Sequence, residues 1–154
     1  MSAAKPLDLL IEQSRQVRDQ AGRSLADERR GETQAAARLH TLTEYRGEYA
    51  QRLQVAMNQG IDAASLANYQ RFIHSLDAAI EQAREALRHQ GDRVSASQQN
   101  WRQSQRRLSS YDTLATRRAA RAHQERERYE QRQSDEQTQN TLARQGRERH
   151  RHDA

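Results

Sequence analysis

The chain has 154 residues, of which only 34% are apolar and 31% charged, with a mean hydropathy of −1.24; these values exclude a conventional globular core. With no cysteine, neither a disulfide framework nor a thiolate metal site is available, and a reducing compartment is expected. The net charge of +5 and pI of about 10.2 raise nucleic acid or an anionic membrane surface as partners. The signs are interspersed, however, as in RAHQERERYEQRQSDEQ, which describes a self-compensating helix face, so no nucleic-acid partner is expected.

The opening residues, MSAAKPLDLLIEQ, lack the apolar stretch of a signal peptide, and no run approaches membrane-spanning length. A cytoplasmic protein without direct membrane insertion is expected. Pro6 is the single proline, and Ala, Gln, Arg, Glu and Leu abound, so long helices are favoured throughout.

A first helix is predicted over about 5–57, with Pro6 in its first turn, where a missing N–H costs nothing. Its apolar positions, Leu7, Leu10, Val17, Ala21, Leu25, Ala35, Leu39, Leu42, Tyr49, Leu53 and Ala56, form a wide and irregular stripe. The middle, GRSLADERRGET, contains Gly22 and Gly31 and offers little to bury.

A turn is predicted over about 58–62, in MNQGIDAAS. Asn58 and Gly60 can supply left-handed residues that end one helix, and Asp62 can cap the next.

The second helix, predicted over about 63–143, carries the strongest signal. Alternate steps of three and four visit Leu66, Tyr69, Ile73, Leu76, Ile80, Ala83, Leu87, Gln90, Val94, Ser97, Trp101, Ser104, Leu108, Tyr111 and Ala115 without a slip. That is a coiled-coil seam, with Leu66, Ile73, Ile80, Leu87, Val94, Trp101 and Leu108 on one of its two rows. Gly91 keeps the phase and reads as a tolerated glycine. After Ala115 the seam positions become Arg118, Ala122, Glu125, Tyr129, Arg132 and Glu136. The tail over about 144–154, RQGRERHRHDA, is expected to fray.

A lone helix with a sparse seam gains little, whereas folding back lets the two stripes bury each other. The expected fold is therefore all-α: a long two-helix antiparallel coiled-coil hairpin, the second helix overhanging the first, forming one rod over residues 1–154. Folding near residue 61 sets Tyr49 opposite Phe72 and Ile73, Leu39 opposite Ala83, Ala21 opposite Trp101, and Leu7 near Ala115.

No phosphate-cradling glycine motif is present. His40, His74, His89, His123, His150 and His152 are scattered, and the HRH of the tail reads as a solvated basic end in preference to a weak metal site. A two-helix rod has no concave pocket in which a pair of carboxylates could be tuned for acid–base work. No catalytic residue, metal or cofactor is expected, and the chain is read as a non-enzyme.

The aromatic residues are more informative. Phe72 lies one residue out of register with the seam and forms a side stripe with Leu76, Ala79 and Ala83. Leu42, Tyr45 and Tyr49 run along the first helix, with Tyr49 in the seam, Tyr45 beside it, and the core position next to Tyr45 given to Arg46. Partly exposed aromatics grouped with leucines have the character of a protein-binding patch. The competing reading is that Tyr45 and Phe72 only widen the interface between the helices.

The succession RLHTLTEYRGEYAQRL, a Gly-containing turn, NYQRFIHSLDAAIEQAREAL, NWRQSQRRL and RERYEQRQSDE resembles the FliJ family of the flagellar type III export apparatus. The resemblance implies a non-enzymatic coiled coil similar to the central stalk of rotary ATPases, cytoplasmic and peripheral at the inner membrane through the export apparatus. Its implied partners are the hexameric export ATPase, the cytoplasmic domain of the export gate, and export chaperones. Carried onto this sequence, the gate-binding patch would be Leu42, Tyr45, Tyr49, Phe72, Leu76 and Ala79. The open end entering the ATPase would hold Leu7, Leu10, Arg117, Arg118, Arg121, Arg126 and Arg128. Arg38 and Ala83 depart from the Gln and His of the family pattern at the edges of the patch, and the tail is longer and more basic. Alternatives are the equivalent stalk of a virulence injectisome, a basic nucleic-acid-associated coiled coil, and an adaptor that dimerises through the overhang.

Overall fold

A computed structural model describes residues 4–153, with side chains from Pro6 onward. It consists of two helices, α1 (Ala4–Gln59) and α2 (Ala63–His152), with no strand among the described residues.

The connection follows from three residues. Gly60 takes the left-handed conformation (φ 86°) that ends α1, and its N–H donates to the carbonyl of Met57 at 3.3 Å. Asn58, the other candidate for that role, stays within α1. Asp62 caps α2: its carbonyl accepts from the Leu66 N–H at 3.0 Å. Its carboxylate is held below the usual range, chiefly by the Ser65 side chain and further by the backbone N–H groups of Ser65 and Ala64.

The far end of α2 differs from expectation. The helix continues through residues 144–152, where fraying was expected, and the N–H of Asp153 still reaches the carbonyl of Arg149 at 3.2 Å. Nothing in ARQGRERHRH breaks a helix outright, since Gly146 costs only about 1 kcal/mol relative to Ala. Arg149, His150, Arg151 and His152 also place positive side chains where the helix macrodipole is negative. Ala154, the last residue of the expected tail, lies outside the described residues.

The chain divides into two compact units. In the larger, Gln13–Arg107, α1 and α2 pair antiparallel along the predicted register: Tyr49 meets Phe72, Arg46 meets Asp77, and Trp101 covers Gly22. Its buried apolar residues are Ala21, Leu25, Leu76, Ile80 and Ala83. In the smaller, Met1–Glu12 with Leu108–Ala154, Leu7, Ile11 and Leu108 form a buried cluster flanked by Tyr111 and Ala115.

Every α2 seam position from Leu66 to Ala115 is buried or half-buried, and every described side chain from Thr116 to Asp153 is exposed. The periodicity thus marks where pairing stops. In α1 the inward residues also form a regular seam: Leu7, Ile11, Ser14, Arg18, Ala21, Leu25, Glu28, Glu32, Ala35, Leu39, Leu42, Arg46, Tyr49, Leu53 and Ala56. Its regularity is masked by polar members. Leu10 and Val17, expected on the buried stripe, are 41% and 53% exposed because each sits one residue before an inward position, Ile11 and Arg18.

Candidate functional site

The flank that carries Tyr45 and Phe72 is defined by the heptad repeat. One open groove beside the seam is lined by Gly31, Arg38, Ala79 and Ala86, together with the seam residues Ala35 and Ala83. Tyr45 lies one heptad after Arg38 and Phe72 one heptad before Ala79, so both rings share the flank on which that groove opens. The opposite flank holds Asp77, His74 and Gln70 beside Arg46.

Within this patch the six predicted residues separate by depth. Tyr45 and Phe72 are 50% and 44% exposed, whereas Leu42, Tyr49 and Ala79 are half-buried and Leu76 is buried. The Phe72 ring packs on Tyr49 with centroids 4.3 Å apart and planes tilted by 47°. The Arg52 guanidinium lies over the Tyr49 ring, 5.1 Å from its centroid, a cation–π arrangement. Tyr49 is therefore held on two sides and positions Phe72. Tyr45 has no such ring partner among the described residues.

Arg46 occupies an inward position that an apolar residue would ordinarily fill. Its Nε donates to the Asp77 carboxylate at 2.7 Å. This hydrogen bond, and secondarily the opposite charge, raises the Arg46 pKa and lowers that of Asp77, with His74 adding a smaller attraction on Asp77. The pair lines the groove that also holds His74 and Gln70, on the flank away from Tyr45.

Two further contacts were not foreseen. The weak middle of α1 is where its glycines admit side chains from α2. A Cβ on Gly22 would stand 3.4 Å from the Trp101 indole nitrogen, and one on Gly31 would stand 2.7 Å from the Gln90 amide nitrogen. Gln90 uses that gap to donate to the Glu28 carbonyl oxygen and carboxylate. The signal lay in the register, since Gly22 and Gly31 fall level with the large or long seam residues of α2.

Of the residues expected at the open end, Leu7 is buried in its cluster and Leu10 is partly exposed. Arg117, Arg118, Arg121, Arg126 and Arg128 are all exposed on α2, past the last inward residue, Ala115. The depressions beside the helices are open grooves, and no group of three or more His, Asp or Glu side chains among the described residues could hold a metal ion. No described helix is long and apolar enough to cross a membrane.

The profile of the family described as Flagellar FliJ protein matches residues 3–147, nearly the whole chain. The chain belongs to the FliJ family. Curated FliJ relatives agree: the Flagellar FliJ protein of Salmonella typhi is 37% identical over 118 residues, covering 77% of this chain and 80% of the relative. That of Escherichia coli (strain K12) is 35% identical with the same coverage. Among solved structures, a Chlamydia trachomatis protein described as a YscO homologue superposes with a TM-score of 0.74 over 97% of this chain and 94% of its own. At 12% identity that likeness shows the helical hairpin fold alone. FliJ membership supports a non-enzymatic part in flagellar type III protein export.

Proposed function

We propose that this FliJ-family chain is a central-stalk-like component of the flagellar export apparatus. The segment formed by the start of α1 and the unpaired end of α2 enters the hexameric export ATPase and promotes its assembly and activity. The flank bearing Tyr45 and Phe72, with Leu42, Tyr49 and Ala79 around them and Leu76 beneath, docks on the cytoplasmic domain of the export gate. Through these two contacts the chain couples ATP hydrolysis to export and resides at the cytoplasmic side of the inner membrane; export chaperones are further partners.

The observation that carries this reading is the FliJ family match over residues 3–147. Two features of the chain support it. The helix beyond Ala115 has seam positions with no partner, as a segment must if another protein is to surround it. The two exposed rings stand on one flank, around the packed Tyr49.

Co-purification with the hexameric export ATPase, with and without nucleotide, tests the stalk assignment. Retention on the hexamer is expected, and consistent separation under both conditions would overturn it. An injectisome stalk shares the fold, but the sequence relatives at 35–37% identity are flagellar, which favours the flagellar assignment.

A further inference from the structure

Tyr45 stands between two arginines on its own flank. Arg38 lies one heptad before it and Arg52 one heptad after, about 10 Å to either side at the helical rise, and all three side chains are exposed. Neither arginine makes an ion pair among the described residues. Unpaired arginines occur elsewhere on the chain, as at Arg93 and Arg102; what sets these two apart is their placement around an exposed ring. Across the helices at the same level, Arg46 is matched by Asp77 and Arg84 by Glu81. Arg52 has a carboxylate within reach and does not use it. Glu48 precedes it by four residues, the usual spacing of a helical ion pair, yet the guanidinium lies over the Tyr49 ring, 5.1 Å from its centroid. Tyr49 thus holds the guanidinium beside the rings, with no carboxylate of this chain upon it. From Arg38 to Arg52 on α1 and from Phe72 to Ala86 on α2, this flank and the row just outside it contain one acid, Glu48. Beside Arg38 the groove is walled by the small residues Gly31, Ala35, Ala79, Ala83 and Ala86, over which a helix backbone can come close.

We propose that this flank accepts an acidic amphipathic helix of the partner, laid lengthwise beside α1 and α2, with Arg38 and Arg52 as specificity-determining residues. The apolar face of that helix rests on Tyr45, Phe72 and the alanines. A carboxylate about two turns to either side of its apolar centre meets each guanidinium through paired N–H···O bonds. The proposal rests on the docking assigned to this flank and adds to it the chemistry of the partner. Two guanidiniums with Glu48 among them attract a nucleic-acid backbone too weakly, because such binding needs several phosphates neutralised together. Discrete carboxylates at matching spacing need only these two.

The probe is a labelled synthetic amphipathic helix of about six turns, with leucine at its centre and glutamate about two turns to either side, titrated with the full chain by fluorescence anisotropy. A second peptide carries glutamine in place of those glutamates. The glutamate peptide should bind about tenfold tighter at about 0.05 M salt, and the preference should shrink as salt rises. R38Q and R52Q should each weaken its binding about threefold and together remove the preference. R52K should keep most of the binding, and R102Q, which removes the same charge away from this flank, should change nothing. E48Q should act in the opposite direction and strengthen the glutamate peptide. Circular dichroism checks that each variant keeps its helices. Equal binding of the two peptides, binding of neither, or equal losses in R102Q overturns the proposal. The gate domain is titrated in parallel, which keeps the two readings apart. Gate binding that falls in Tyr45→Ala but ignores R38Q and R52Q overturns the acidic helix and leaves the gate docking standing. Peptide binding through Arg38 and Arg52 by a chain that ignores the gate domain supports the acidic helix and removes the gate.

Discussion

The Gln90 amide nitrogen donates to the carbonyl oxygen of Glu28 at 3.0 Å and to its carboxylate at 2.6 Å. The side chain can reach both because Gly31 leaves the space open. An alanine at 31 gains about 1 kcal/mol of helix propensity but forces the amide away from Glu28, losing hydrogen bonds of about the same worth. Gly31→Ala should therefore be near neutral or mildly destabilising alone, and stabilising by about 1 kcal/mol when Gln90→Ala has already emptied the space. A double-mutant cycle by urea unfolding measures the coupling; strictly additive effects would mean that Gln90 does not depend on Gly31.

The Leu7, Ile11 and Leu108 cluster gives the next expectation. Leu108 is 4% exposed, whereas Leu142, also on α2, is 61% exposed. Leu108→Ala should cost about 2–3 kcal/mol through lost burial and the cavity left behind, and Leu142→Ala about 0.5 kcal/mol or less. Denaturant midpoints of the two variants decide it.

Acidification acts through three carboxylates. Asp62, Asp77 and Glu85 are held below the usual carboxylate range by hydrogen bonds from Ser65, Arg46 and Arg88 respectively. The unfolded chain binds protons on these groups at higher pH than the folded one, so they stabilise the fold fully above their unfolded values, about pH 4, and lose that contribution as pH falls through the folded values. The thermal midpoint should be flat from neutral to about pH 5 and drop on going below about pH 4. In Asp77→Asn the drop should be shallower; an unchanged acid profile would show that the Arg46 contact contributes nothing.

Tyr45 and Phe72 should part from Leu76 in their effects. Tyr45→Ala removes a half-exposed ring and is expected to weaken binding to the gate domain by about 1 kcal/mol or more, with little change in melting. Phe72→Ala also loses the packing on Tyr49 and should lower both affinity and, modestly, stability. Leu76→Ala should act mainly on stability. Calorimetric titration beside thermal melts separates the three, and unchanged gate affinity in Tyr45→Ala and Phe72→Ala would make the rings structural.

Among the described residues, deleting 119–154 removes only exposed side chains. The truncated chain should keep most of its thermal midpoint while losing stimulation of the export ATPase. Full stimulation by the truncated chain would place ATPase contact elsewhere.

The α2 seam was legible because its members from Leu66 to Ala115 are mostly apolar and their spacing never slips. In α1 the same spacing passes through Ser14, Arg18, Glu28, Glu32 and Arg46, and hydropathy cannot show an inward position filled by a charge whose partner, such as Asp77, is on another helix. Leu10 and Val17 are apolar and so resemble inward residues, although a one-residue offset turns a side chain by about 100° and takes it off the seam. The same offset made Tyr45 legible as a flank residue. The pairing of Tyr49 with Phe72 was legible from the register, which also sets Gly31 level with Gln90; the reach of the Gln90 amide to Glu28 was not legible, because hydropathy gives no weight to a polar side chain entering beside a glycine.

The three-residue connection at Gly60, Ile61 and Asp62 also sets an order of events. Contacts next to it close short loops, while Leu7 reaching Leu108 closes one on the order of a hundred residues, and the entropy of closure rises with loop length. Once the connection has formed, each new layer is brought within reach by the one before it, so folding should proceed as a zipper from the Gly60 turn. Opening should run in reverse, and amide exchange should be fastest in the α2 residues beyond Ala115, which have no layer to join.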